Sequence, residues 1–172
     1  TLAGMAANAR YYRDHHVRFF RAEIGPMWAF DGPKVWLRLR QLWEPDLDLD
    51  AGLRQYCDAA FGKGGAEMRA LYRHWAGKRP DVIADGVTPM HMPSQTTGDS
   101  WRDAGAQFLA VSAEDLDYSL AQVAKARELD GSDMVSRRLE MVGTFFEDSR
   151  TLYAMKELAE TSLDPSAERN WS

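Results

Sequence analysis

The run Asp133-Met134-Val135-Ser136-Arg137-Arg138-Leu139-Glu140-Met141-Val142-Gly143-Thr144-Phe145-Phe146, continuing to about Thr161 without a proline, decides how this chain folds. Val135, Leu139, Val142, Phe146 and Tyr153 recur at helical spacing and form one apolar stripe. Met134, Met141, Phe145, Leu152 and Met155 form a second. A helix with two apolar stripes touches more than one neighbour. Just before it, Gly131-Ser132-Asp133 makes a tight break, and Leu116, Leu120 and Val123 mark a helix to about Leu129. Ser112, with Asp115 three residues on, is an approximate capping box for that helix. The short link predicts an antiparallel helical hairpin at the C-terminus.

The same spacing recurs upstream. Asp46, Asp48 and Asp50 surround a helix start, where carboxylates accept from free N–H groups and suit the helix dipole. Leu49, Leu53, Tyr56, Cys57 and Ala60 then keep a 3.6-residue period. Gly62, Gly64 and Gly65 punctuate, and Met68, Leu71, Tyr72 and Trp75 form the apolar face of the next helix. Asp31-Gly32-Pro33 reads as a further start, with proline in the first turn. Val35, Trp36, Leu39, Leu42 and Trp43 are its apolar positions, and Pro45 ends it. Residues 1–16 read as the end of a helix. Between these, Val17, Phe19, Phe20 and Ile24 suit a short buried strand over 17–24, and Met27 to Gly32 reads as a loop. Residues 77–100, rich in Gly, Pro, Thr, Asp and Ser, read as an irregular loop, with a short helix from Trp101 to Val111.

Composition narrows the class. The chain has 172 residues, 45% apolar and 27% charged, which rules out wholesale disorder, collagen and coiled-coil fibre. The formal charge of -5 argues against a nucleic-acid partner, whose modules are usually basic. No stretch is apolar enough to predict a membrane span. The single cysteine, Cys57, excludes an internal disulfide and a cysteine zinc cluster, and leaves localisation open. The chain opens Thr1-Leu2-Ala3-Gly4, inside what reads as a helix, so a fragment of a longer protein is the expectation.

Residues 17–75 hold a recognisable order of features. A segment bearing an acid, Phe19-Phe20-Arg21-Ala22-Glu23, precedes Gly-Pro and a Trp-bearing helix. Leu42-Trp43-Glu44-Pro45-Asp46-Leu47-Asp48-Leu49-Asp50 follows, then Tyr56-Cys57-Asp58-Ala59-Ala60-Phe61-Gly62 and Ala66-Glu67-Met68-Arg69-Ala70-Leu71-Tyr72. This order resembles the C-terminal part of an uncharacterised bacterial family in the glycoside hydrolase TIM-barrel superfamily. It is also similar to the C-terminal region of α-glucuronidases. Position 44 departs from that pattern, with Glu where Asp is usual.

The resemblance implies that residues 1–45 are the last strand and helix of a β/α barrel and that 46–172 is a helical C-terminal domain. The expected fold is therefore mainly α: a helical bundle with a C-terminal antiparallel hairpin and one short strand left from a truncated barrel. The implied role is to support the barrel and wall a sugar cleft, the segment itself being inactive. The implied partners are a carbohydrate, met through the full-length protein, and the upstream barrel domain. A lone strand has unpaired backbone groups, so a homodimer is expected as well. No cofactor, metal or membrane partner is expected. The competing reading is a stand-alone helical interaction or dimerisation module, with tryptophans and methionines forming a partner groove.

Four residues are candidates for sugar chemistry. Catalytic groups of a barrel sit at the C-terminal ends of strands, which nominates Glu23 as an acid. Glycoside hydrolysis uses a pair of carboxylates, and Asp31 is the second acid or a sugar-hydroxyl acceptor. Trp28 and Trp101 are apolar platforms for a sugar ring. Against this, Glu23 pairs with Arg18 or Arg21, and Asp31 caps the helix after it. Other clusters read as structure. Asp46, Asp48 and Asp50 lack the glycine and glutamate of a calcium loop. Met90-His91-Met92 offers soft ligands but only one cluster. His15-His16 point to different helix faces. Gly62-Lys63-Gly64-Gly65 lacks phosphate-loop spacing and reads as a helix cap and turn. Cys57 reads as a buried, inert thiol.

Overall fold

The computed structural model describes residues 2–19, 28–77 and 111–162. The chain is mainly helical: α1 (Leu2–Asp14), α2 (Trp28–Trp43), α3 (Leu49–Phe61), a 3-10 turn (Gly62–Gly64), α4 (Gly65–Gly77), α5 (Ala113–Leu129) and α6 (Asp133–Ser162). α3, α4, α5 and α6 pack in chain order, each on the next or nearly so, and α2 lies against α3 and α6. The core is where their apolar stripes meet. Leu53 and Cys57 of α3, Met68 and Leu71 of α4, Leu116 of α5, and Leu139, Val142 and Phe146 of α6 are all but fully enclosed. Each large apolar side chain so buried stabilises the fold by about 1.5–3 kcal/mol.

The periodic helices match their sequence pattern. Asp48 is the N-cap of α3, and its carboxylate accepts from the Asp50 and Ala51 amides at 2.9 and 3.2 Å. Ser112 and Asp115 form a complete capping box at α5. Of the two stripes on α6, Val135, Leu139, Val142 and Phe146 are buried, whereas Met134, Met141, Leu152 and Met155 are exposed.

The junction of α3 and α4 depends on close backbone approach. Gly62 ends α3 at a φ of 53°, and a side chain there would collide with the Asp130 carboxylate. That carboxylate accepts from the Lys63 amide and the Ser132 amide, both at 3.1 Å. Hydrogen bonds from Ser132, then from the Lys63 amide, hold the Asp130 carboxyl below its usual range. At Gly64 a Cβ would sit 2.8 Å from the Ala126 carbonyl oxygen of α5. The glycines thus let two helices touch, and no phosphate cradle is needed to account for them.

Three expectations are corrected. Val17–Phe19, the described part of the expected strand, form no strand, and Phe19 is 80% exposed. Among the described residues there is no strand, so nothing offers these a ladder partner. The rest of that segment lies outside the described residues, as do the irregular loop and short helix expected before Val111.

Second, α2 starts at Trp28, before the expected Asp31-Gly32-Pro33, so Trp28 and Phe30 are helical and Pro33 lies inside. A proline there has no N–H to give the carbonyl four residues back, which is Ala29. The Tyr72 hydroxyl of α4 donates to that carbonyl at 3.0 Å instead.

Third, the buried row of α2 is Phe30, Pro33, Leu37 and Gln41. Leu39, Leu42 and Trp43, expected inside, are exposed, Trp43 to 88%. Packing on α3 and α6 selects the row around the proline, even though Gln41 then has both amide atoms buried without a partner among the described residues.

Two substitutions test this packing. Tyr72→Phe keeps the ring and orphans the Ala29 carbonyl, so the unfolding free energy should fall by about 1–3 kcal/mol, read from urea denaturation. Gly64→Ala forces α3–α4 from α5 and should cost about 1–3 kcal/mol. Gly131→Ala, with open space around it, should stay within about 0.5 kcal/mol in the same assay.

Candidate functional site: a groove between α2, α3 and α6

The outward side of the α2–α3–α6 contact is an open groove of about 600 Å³. Trp28, Gly32, Trp36 and Leu39 of α2 form one wall. Tyr56, Ala59 and Ala60 of α3 form the base, and Arg138, Met141 and Val142 of α6 the other wall. This volume lies in the range of ligand sites, which are mostly apolar with a few placed polar groups. Here the polar groups are Gln55, the Tyr56 hydroxyl and Arg138, the one charged residue of the lining.

Each wall is positioned by the fold. Trp36 stands 5.8 Å from the Tyr56 ring, and the Arg40 guanidinium covers its face at 5.1 Å. Glu44 at 2.8 Å and Gln55 at 3.0 Å hold Arg40 there. Gly32 makes room for Tyr56, since a Cβ would meet the hydroxyl at 2.7 Å. Burial first, and the neighbouring Cys57 second, push the Tyr56 hydroxyl up from its usual pKa, while Arg138 pulls it back. Arg138 donates to the Ala60 carbonyl at 2.9 Å, and this is its one polar partner among the described residues. Its charge therefore faces an apolar groove without a carboxylate beside it.

Of the sequence candidates, Trp28 lies at the groove and is 54% exposed. It stands on a helix, where a loop was expected. Asp31 is itself helical, in the first turn of α2, so it is not that helix's N-cap. Its carboxylate pairs with Lys34 at 2.8 Å, and it does not line the groove. Glu23 and Trp101 lie outside the described residues, as does Met90-His91-Met92. Asp46, Asp48 and Asp50 are spent separately: on Arg13 at 2.7 Å, on the α3 cap, and on Arg73 at 2.7 Å. Among the described residues no cluster of His, Cys, Asp or Glu could hold a metal. Nor is any described helix long and apolar enough to cross a membrane.

A polar cluster joins α4 to α5. His74 Nε2 donates to Asp115 Oδ1 at 2.8 Å, and the Ser112 hydroxyl donates to Asp115 Oδ2 at 2.8 Å. Trp75 Nε1 donates to the Ser119 hydroxyl at 2.8 Å, which donates to the Asp115 carbonyl at 2.7 Å. In a hydrolytic triad the imidazole takes the serine proton. Here serine and histidine both donate to the carboxylate between them, so the cluster clamps two helices and activates no nucleophile.

No protein-family model, curated protein or solved structure matches this chain. The groove's aromatic wall was partly legible, through Trp28. Tyr56 and Arg138 were not, because the sequence does not show which helices face each other. The faint signal was a set of small residues, Gly32, Ala59 and Ala60, at positions where facing helices leave space.

Cys57 takes no part in the groove. It is wholly buried, and burial first and Asp58 second push its thiol up to about 12. A thiol raised this far stays protonated across the ordinary range and is not a nucleophile. Native protein at pH 8 should therefore leave a thiol-reactive chromophore unmodified, with one thiol titrating only after denaturant is added.

Proposed function

We propose that this chain is a helical interaction module that binds an amphipathic helix of a partner in the groove between α2, α3 and α6. The observation that carries this reading is the open apolar groove with one uncompensated guanidinium. Helix-in-groove recognition uses apolar anchors spaced three, four and seven residues apart on the incoming helix. Trp28, Trp36, Leu39 and Met141 would receive such anchors, and Arg138 would take a carboxylate. Burying a half-exposed tryptophan wall against a partner is the usual source of strong anchoring contacts.

A second reading rests on the resemblance and on the outward row of α2. In it the chain supports a carbohydrate-active hydrolase barrel, walls its sugar cleft and is inactive alone. Residues 1–45 would then be the end of the barrel, and 46–172 the helical domain with its antiparallel hairpin. Exposed Leu42 and Trp43 favour this reading, since an upstream domain would cover them. Trp28 would then be a sugar platform, with Glu23, Asp31 and Trp101 as further contacts.

One titration tests the first reading. A synthetic helix with apolar residues at i, i+4 and i+7 and a single glutamate should shift the tryptophan emission to the blue with saturation. Ala59→Trp, which fills the groove base, should weaken that binding at least about tenfold, as loss of a central anchor does. Absence of any saturable shift would sink the module. A chain that binds hydrophobic dye and aggregates, instead of melting cooperatively, would favour the barrel support.

A further inference from the structure

The exposed stripe of α6 is not only apolar. Met134, Arg138, Met141, Phe145, Asp148 and Leu152 follow one another at alternating steps of four and three residues. That 3.5-residue spacing is the seam of two helices supercoiled together. Met134, Met141, Asp148 and Leu152 are exposed, while Arg138 and Phe145 are half-buried. Asp148 has no hydrogen-bond or ion-pair partner among the described residues, and Arg138 has only the Ala60 carbonyl.

The seam is also self-complementary. Arg138 and Asp148 stand equally far on either side of Gly143, as do Met141 and Phe145, and Met134 and Leu152. We propose that a second copy of this chain docks on the seam, its α6 antiparallel to the first about a two-fold axis level with Gly143. In that register Arg138 meets the partner's Asp148, Met141 meets the partner's Phe145, and Met134 meets the partner's Leu152. Such an isologous contact uses one patch twice and closes as a dimer. The inference rests on the reading of this face as a helix-docking surface, and it names α6 of a second copy as the helix and Asp148 as its carboxylate.

Charge selects this register over its neighbours. Sliding the pair by one heptad in one direction sets Arg138 against the partner's Met141 and Asp148 against the partner's Gly131. Sliding it in the other sets them against the partner's Met155 and the partner's Phe145. Either slip leaves both charges without an opposite charge across the seam, so the pair gained in the matched register is lost. A parallel pair places arginine on arginine and aspartate on aspartate, and like charges in contact reject that alignment. A single polar pair in an apolar seam is a known way to fix register and orientation.

Sedimentation equilibrium on the full chain tests the proposal. A dimer is expected. Arg138→Asp and Asp148→Arg should each weaken it at least about tenfold, and the double variant should restore it. Overlaid circular dichroism spectra would show that the single variants remain folded. Should Arg138→Asp unfold, oxidation provides the second readout. Met134→Cys with Leu152→Cys should cross-link two chains through the partner's opposite position, and Met134→Cys alone should not. A dimer indifferent to both charge changes would overturn the proposal and assign association to another surface. A monomer at every concentration would also overturn it, while a saturable tryptophan shift with the synthetic helix would leave the groove reading standing.

Discussion

The contact on which this bundle depends is the hydrogen bond from the Tyr72 hydroxyl to the Ala29 carbonyl, at 3.0 Å. Proline inside a helix removes one backbone bond and crowds the carbonyl four residues back, a cost of about 3 kcal/mol or more. In α2 that carbonyl points to α4, and a buried tyrosine reaches it. The hydroxyl is kept neutral, because burial raises its pKa well above the usual value. A defect in one helix thus becomes a cross-link between two. With α2 held there, Phe30 enters an aromatic cluster, stacked 5.2 Å from Phe145 and edge-on to Trp75 and Phe146 at 5.8 and 5.9 Å. Pairs of this geometry add about 0.5–1.5 kcal/mol each beyond their buried area.

The groove is a consequence of the same placement. α2 meets α6 through Phe30 near its start, where Phe145 and Phe146 lie beneath it. Farther along, Gly32 on α2 and Ala59 and Ala60 on α3 supply little volume. The helices are therefore held together at one end and separated along one side. Trp28 and Leu39 are left exposed at that edge. This is an arrangement for recognition, in which apolar area waits for a partner. The strongest polar cluster lies elsewhere, between α4 and α5, and its carboxylate is spent on capping and clamping. Chemistry that needs a free acid or an activated hydroxyl finds neither there.

The helices whose apolar period is unbroken were legible. In α3, α4, α5 and the first stripe of α6, hydrophobicity and burial coincide because each helix has one face to bury. Helix α2 was not, because it carries two apolar rows. Trp36, Leu39, Leu42 and Trp43 together outweigh Phe30, Pro33, Leu37 and Gln41 in hydrophobicity, yet the poorer row is the buried one. Close approach decided it: a row without indoles lets α3 and α6 pack against α2. For the site, an exposed tryptophan before a helix was visible at Trp28. Its companions Tyr56 and Arg138 come from helices distant in sequence, and no local pattern links them.

The sequence by itself determined the helical class, the capped starts of α3 and α5, the glycine break before α4, the inert cysteine and the two stripes of α6. These follow from local rules of spacing, capping and backbone freedom, which act within a few residues. Only the tertiary structure decided which stripe of α2 is buried, that Pro33 is answered by Tyr72, that Asp115 joins Ser112 to His74, and that Arg138 faces an apolar groove. Those outcomes depend on distances between helices, and such distances are set by the whole core packing at once.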